Sequence, residues 1–309
     1  MILTVTLNAS IDKAYHMNSP LIGGSIMRVD NVVNSAGGKG INVARGVIAL
    51  GGDALATGFV GGFNGEYFLH LLQKDNVSHS FEKVQAETRS CVNVLDQKFK
   101  STEFLEPGRK VSKEEVMSFV KRFENLVSKS SLVVISGSAP VGVSKDFYAQ
   151  LILICKKHGV RVFLDSSGDM LQEGMHAKPY FIKPNEDEIA TLIGHEVSAS
   201  CEALKATKEM QGKSADYVVV SMGAKGCVVA CESGEYIGIA PSIEAKNTVG
   251  SGDSFVAGFA FALDAGFDDA ECIKYALAAG AANAISSTTG NITRNDFDSM
   301  FSKCKVQCA

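Results

Sequence analysis

Residues 247–253 read Asn-Thr-Val-Gly-Ser-Gly-Asp and run directly into the apolar stretch Ser-Phe-Val-Ala-Gly-Phe-Ala-Phe-Ala-Leu, 254–263. One carboxylate, Asp253, therefore falls at a glycine-rich helix start. The unpaired amides and the positive dipole end of such a turn stabilise an anion, and Gly250 and Gly252 let the backbone come close to it. An aspartate there would repel a phosphate unless it has a task of its own. Accepting the proton of an attacking hydroxyl is such a task, so the segment suits phosphoryl transfer. The same residues also suit a plain helix N-cap.

A second glycine-rich turn, Ser35-Ala-Gly-Gly-Lys-Gly-Ile-Asn-Val-Ala44, also leads into a helix. Gly37 and Gly38 permit close backbone approach, Lys39 supplies a point charge, and Asn42 can bond a hydroxyl from the first helical turn. It is not a P-loop, because Gly40 follows Lys39 where Ser or Thr would be needed. A tight turn explains it equally well. Asp12 follows the first strand and is expected at the carboxyl edge of the sheet, where it would bind sugar hydroxyls or close a turn on its own backbone. In Ile182-Lys-Pro-Asn-Glu-Asp-Glu188, Asn185 and Glu188 have capping-box spacing. Alternatively Lys183 and Asn185 face nucleotide phosphates while Glu188 helps hold hydrated magnesium. Ser221-Met-Gly-Ala-Lys-Gly226 reads as a turn or as a nucleotide-contacting loop. Arg89, in Glu87-Thr-Arg-Ser-Cys91, is a fork-shaped cation suited to a phosphoryl group or to a solvated face.

The elements that would position these groups are α/β in pattern. From about residue 131, β-branched runs (132–135, 160–164, 180–182, 217–220) alternate with helical periods, including one at 185–193, which predicts a mostly parallel sheet covered on both faces. The first third differs. Residues 14–17, 27–33, 89–95 and 100–105 are strand-like without intervening helices, whereas 40–50 and 66–72 have helical spacing. Residues 1–309 thus read as a single domain carrying a small β-sheet lid, formed by segments about 13–35 and 87–107.

At 309 residues and 46% apolar composition the chain can bury a large core. A net charge of −4 without a basic cluster argues against nucleic acid as a partner. No charged leader precedes the first strand, and no apolar run reaches the ~20 residues that cross a bilayer, so no membrane partner and a cytoplasmic location are expected. Eight scattered cysteines resemble free thiols rather than a disulfide framework. Cys227/Cys231 and Cys304/Cys308 have zinc-like spacing but no neighbouring His.

Taken in order, these segments resemble the PfkB (ribokinase-like) carbohydrate kinases. Gly37–Ala44 is similar to the family's first signature and Asn247–Ser254 to its second. The resemblance implies a central sheet with helices on both faces plus a β-lid, ATP as donor, magnesium as cation and Asp253 as catalytic base. It also implies an anion hole at Gly250, Ser251 and Gly252, and nucleotide contacts at Lys183, Asn185, Ser221, Gly223, Gly226 and Asn283. Glu188 completes an Asn-x-x-Glu motif tied to magnesium. The opening residues, with Glu87-Thr-Arg89 and Ser136-Gly-Ser138, resemble the branch acting on sugar phosphates, tagatose-6-phosphate kinase and 1-phosphofructokinase. Asp12, Gly37, Gly38, Lys39, Asn42, Arg89 and Ser138 then match the sugar-phosphate side, with Arg28 a further candidate on a lid strand. Cys91 and Leu105-Glu-Pro-Gly108 lean towards the tagatose-6-phosphate enzymes. A homodimer joined through the lid is expected, and a non-catalytic sugar-phosphate sensor is the rival from another class. Ala9, Ala139 and Asn247 depart from the family pattern without removing a reacting group.

Overall fold

Strand β1, Ile2–Thr6, is buried on both faces, which places it inside a sheet covered on either side. The computed structural model describes residues 1–96, 101–197, 199–286 and 288–309. After β1 come β2 (Ser10–His16) and β3 (Asn31–Gly37), then helix α1 (Lys39–Ala49), β4 (Ala54–Gly61) and α2 (Gly62–Lys74). The short β5 (Ser78–His79) and β6 (Glu82–Val84) precede β7 (Arg89–Leu95) and its antiparallel neighbour β8 (Ser101–Leu105). From α3 (Lys113–Val127) the alternation is regular: β9 (Leu132–Ser136), α4 (Phe147–Lys157), β10 (Arg161–Asp165), α5 (Gly168–His176), β11 (Phe181–Ile182), α6 (Glu186–Ile193), α7 (Ser200–Met210) and β12 (Tyr217–Ser221). Strands β13 (Cys227–Cys231) and β14 (Gly234–Ile239) then lead to α8 (Ser251–Asp264), α9 (Asp269–Ile285), α10 (Arg294–Phe301) and β15 (Lys305–Cys308).

The central sheet runs β15-β14-β13-β12-β11-β10-β9-β1-β4-β5, with β6 also beside β4. It is parallel from β12 to β5 and antiparallel over β13, β14 and β15. Consecutive strand residues point to opposite faces, and here each face has its own core. Ile2, Val134, Phe163, Phe181 and Val219 join α1, α8 and α9, while Leu3, Val133, Leu164, Ile182 and Val218 join α3, α4 and α7. Two covered faces explain why the strands read as unbroken apolar runs.

A second, smaller sheet has the order β3-β2-β7-β8. Its strands differ from the expected spans in three places, the first being β2, which runs Ser10–His16 where 14–17 was expected. The expected strand at 27–33 is displaced to Asn31–Gly37, because Asp30 closes the preceding loop by accepting from the Asn18 amide at 2.8 Å, and pairing starts only beyond it. Arg28 is therefore not on a strand. The expected strand at 100–105 is β8 from Ser101, and residue 100 lies outside the described residues. Among the described residues no helix is long and apolar enough to cross a membrane.

Small residues bring the two glycine-rich helix starts side by side. A Cβ on Gly46 of α1 would lie 2.6 Å from Ala257 Cβ of α8, and one on Gly258 would lie 2.5 Å from the Tyr275 carbonyl of α9. Only glycine lets these helices approach so closely.

Candidate functional site

A cleft of about 1090 Å³ lies where the carboxyl ends of β1, β9, β10, β11 and β12 face the small sheet and the start of α8. Crevices beyond the carboxyl ends of parallel strands are where α/β folds bind ligands. Of the residues singled out in the sequence, Asp12, Gly38, Lys39, Asn42, Arg89, Ser138, Lys183, Asn185, Glu188, Ser221, Gly250, Gly252 and Asp253 line it.

Gly250 is the N-cap of α8 at φ 79°, and the first turn follows as Ser251, Gly252 and Asp253. Ser251 N donates to Thr248 O at 3.2 Å, whereas the amides of Gly250, Gly252 and Asp253 have no acceptor among the described residues. Unpaired amides at a helix start can cradle an anion. Asp253 is 6% exposed and accepts from Asn42 Nδ2 at 2.8 Å. Burial pushes its carboxyl up to about 6 against the opposing pull of Lys39, with Asp165 adding to the rise. The helix dipole acts the other way, but it is worth at most about 1–2 kcal/mol, so desolvation wins. A carboxyl poised near neutrality suits a general base.

Lys39 and Lys183 flank a buried carboxylate, Asp165, at 3.7 and 3.4 Å. Asp165 is 3% exposed, and although burial alone would raise its carboxyl, the two ammonium groups hold it below the usual range. In return Asp165, and then Asp253, keep Lys39 firmly protonated. Gly252 closes the group, since a Cβ there would lie 3.4 Å from Lys183 Nζ. Two cations, a free-amide turn and a near-neutral carboxyl thus converge on one point.

On the opposite wall Asp12 belongs to β2, in register with Ser35 and Cys91. This corrects its expected place at the edge of the central sheet: the chain turns through residues 7–9 after β1 and enters the small sheet before reaching it. Burial raises the Asp12 carboxyl, against the Ser10 hydroxyl bond at 2.6 Å and the Arg89 charge. Gly37 does not line the cleft; its missing side chain leaves room for Asp12, whose carboxyl would overlap a Cβ there. Arg89 spends two donors on backbone, on Asn8 O at 3.1 Å and Glu106 O at 2.8 Å. Asn8 Nδ2 bonds Ser138 Oγ at 3.1 Å.

Four other expected residues stand apart from the cleft. Asn283 is fully buried; its amide donates to Val249 O and Ser251 Oγ and accepts from Gly290 N, so it braces the α8 turn and has no face left for a nucleotide. Ser251 is its partner in that brace. Gly223 opens a short 3-10 turn at φ 55°, and Gly226, at φ 104°, passes so close to the Gly238 carbonyl that no side chain fits. These positions serve the turn between β12 and β13. Asn185 and Glu188 form the capping box that their spacing predicts, at 2.7 and 3.0 Å. Among the described residues no group of three or more His, Cys, Asp or Glu could by itself hold a metal ion.

Sequence reasoning missed Asp165 and Arg45. Asp165 is the residue after the apolar run 160–164, at a strand end, and that position was the available signal. Arg45 reads as an ordinary helix-surface base.

A pfkB family carbohydrate kinase profile matches residues 5–295. Phosphofructokinase-2 from Escherichia coli, solved in complex with potassium, is 29% identical with a TM-score of 0.90, covering 97% of this chain and 98% of that one. A protein described as a possible 1-phosphofructokinase from Thermotoga maritima is 26% identical with a TM-score of 0.85, covering 100% and 99%. Ribokinase from Arabidopsis thaliana, 20% identical with a TM-score of 0.78 over 97% and 98%, shares the fold.

Proposed function

The chain belongs to the pfkB family of carbohydrate kinases, and from that premise we propose that it transfers the γ-phosphate of ATP to a ketohexose phosphate, giving a 1,6-bisphosphate. The observation that carries this reading is the buried, near-neutral Asp253 beside the free amides of Gly250 and Gly252. Asp253 takes the proton as the acceptor hydroxyl attacks phosphorus. The new O–P bond forms while the bond from the γ-phosphorus to the bridging oxygen breaks, and that electron pair leaves with ADP. The amide cradle, Lys39 and Lys183 meet the charge spread over the transferring group, and preorganised charge of this kind supplies most of the rate.

Lys39 is paired with Asp165 next to Asp253, which favours a place at the transferring phosphate over one at the acceptor's existing phosphate. Arg89 and the small-sheet wall remain for the acceptor, with Asp12, Asn42 and Ser138 for its hydroxyls. Asn185, Lys183 and Ser221 lie on the nucleotide side.

A magnesium ion fits this set only in company with nucleotide phosphates, since the described residues form no closed acidic cage. Glu188, with one carboxylate oxygen on the Asn185 amide, is the residue that would hold it. When bound, it neutralises phosphate charge.

Tagatose 6-phosphate is the favoured acceptor. What supports this is the resemblance of Cys91 and Leu105-Glu-Pro-Gly108 to the tagatose-6-phosphate enzymes; Glu106 of that segment bonds both Arg89 and Ser90 on the wall assigned to the acceptor. Likeness to a possible 1-phosphofructokinase supports fructose 1-phosphate as the second reading. A coupled assay with ATP and tagatose 6-phosphate, fructose 1-phosphate or fructose 6-phosphate decides between them. Turnover of none would leave the non-catalytic sensor, against which the intact amide cradle and carboxylate argue.

The small sheet acts as a lid that excludes water from the reaction. It exposes Val32, Val33, Phe104 and Leu105, and the loop before β3 exposes Ile26; apolar exposure beside an open edge strand favours pairing with a second copy. A monomeric mass by light scattering at micromolar protein would overturn the dimer.

A further inference from the structure

Behind Asn42 and Asp253, the polar chain of the site continues to residues that play no part in the mechanism above. Asn42 and Arg45 lie three residues apart on α1, hence on one face of the helix. Asn42 Nδ2 donates to Asp253 Oδ2 at 2.8 Å, and Asn42 Oδ1 accepts from Arg45 Nη1 at 3.3 Å. Arg45 is in turn clamped through Nε at 3.0 Å and Nη2 at 2.6 Å onto Asp75 Oδ2, at the end of α2. The Arg45 side chain is 14% exposed. Gly290 closes the other side of the amide, since a Cβ there would lie 3.1 Å from Asn42 Oδ1.

We propose that Arg45, anchored by Asp75, is a positioning residue that fixes the orientation of the Asn42 amide and through it presents a donor to Asp253. This rests on the assignment of Asp253 as the base. The argument is one of donor and acceptor inventory. A guanidinium has five donors and no acceptor, so only the amide oxygen can face it, and the NH2 group must then face Asp253. A donor favours the ionised carboxylate. Without Arg45 the amide is free to turn its oxygen to Asp253, where it accepts a proton from the neutral acid and favours that form instead. The other charged groups facing Asp253 are Lys39 of α1, Asp165 at the end of β10 and Lys183 after β11; those facing Arg45 are Asp75 and, across the cleft, Asp12. None of these takes the place of a fixed amide donor.

The test compares wild type with Arg45→Met, Arg45→Lys and Asn42→Ala. In Arg45→Met the acidic limb of the kcat–pH profile is expected to move up by about one unit, so that kcat falls roughly tenfold well below the limb and about twofold at neutrality, with KM for ATP unchanged. Arg45→Lys, which keeps the charge but lacks the fork, recovers part of both. The double variant Arg45→Met/Asn42→Ala moves the limb no further than Asn42→Ala alone. Carbon-13 NMR titration of the Asp253 carboxyl in the unliganded protein reads the same shift without turnover. It therefore separates failure of this inference from failure of the kinase reading. An unmoved Asp253 titration in a folded Arg45→Met protein overturns the proposal. A rise in acceptor KM with no pH shift also overturns it, and would make Arg45 a substrate contact.

Discussion

At Gly252, in the first turn of α8, glycine serves exposure, whereas at the start of α1 it serves packing. A Cβ on Gly252 would meet nothing nearer than Lys183 Nζ at 3.4 Å, so that turn stays open with its amides facing the cleft. A Cβ on Gly40 would lie 2.5 Å from Thr6 Oγ1 and 2.6 Å from the Val5 carbonyl, and one on Gly38 would overlap the Thr6 methyl. The first turn of α1 is therefore pressed onto β1. One glycine pattern thus arises from two causes, and the second supports the first: α1, seated on the sheet, carries Lys39 and Asn42 to the mouth of α8.

The strongest way to break this contrast is to remove the reacting group from the open turn. Asp253→Asn is expected to lower kcat about 10²- to 10⁴-fold while the protein still unfolds cooperatively. Turnover near wild type would remove Asp253 from the chemistry. The same variant reports on the cost of keeping that carboxyl buried. Its value rises from 3.8 to about 6 in the folded state, so between those pH values the folded protein binds more protons than the unfolded one and stability falls as pH rises. A shift of that size corresponds to at most about 3 kcal/mol. Asp253→Asn should therefore melt above wild type at pH 7.5, with the gap shrinking as pH falls through 6 towards 4. A gap that widens on acidification would reverse the sign and with it the assigned burial penalty.

Gly40→Ala tests the packed turn. Its methyl meets strand backbone rather than a mobile side chain, so a loss of about 1–3 kcal/mol is expected, read from the urea midpoint. The accompanying loss of activity should follow the folded fraction. An unchanged midpoint would mean that α1 is not seated on β1 as described.

How far the sequence reaches depends on whether a group's partners lie near it in the chain. Asp253 was legible because glycines on either side of Ser251 announce its turn, and the Asn185–Glu188 cap because its two halves are three residues apart. Asp165 was not, because its lysines come from the start of α1 and the end of β11, and at a strand terminus it is one more polar residue after an apolar run. Asn283 was expected at the nucleotide only through the family resemblance; its bonds to Val249, Ser251 and Gly290 join residues that no local pattern links to it. The parallel strands were legible from their apolar runs. The bounds of β3 were not, since Met27 and Val29 are strand-like residues in a loop closed by Asp30.

Gly252→Ala has the smallest expected effect on stability and separates the two causes most cleanly. The position has an ordinary helical backbone, and alanine is the better helix former by about 1 kcal/mol. The new methyl touches only the end of a flexible lysine, so the melting temperature should hold or rise slightly. The methyl also stands over the amides that a phosphate must approach, so KM for ATP should rise and kcat should fall in the same variant. A glycine present only to start a helix would give the first result without the second. Equal kinetics in a more stable Gly252→Ala protein would therefore reduce this turn to an N-cap.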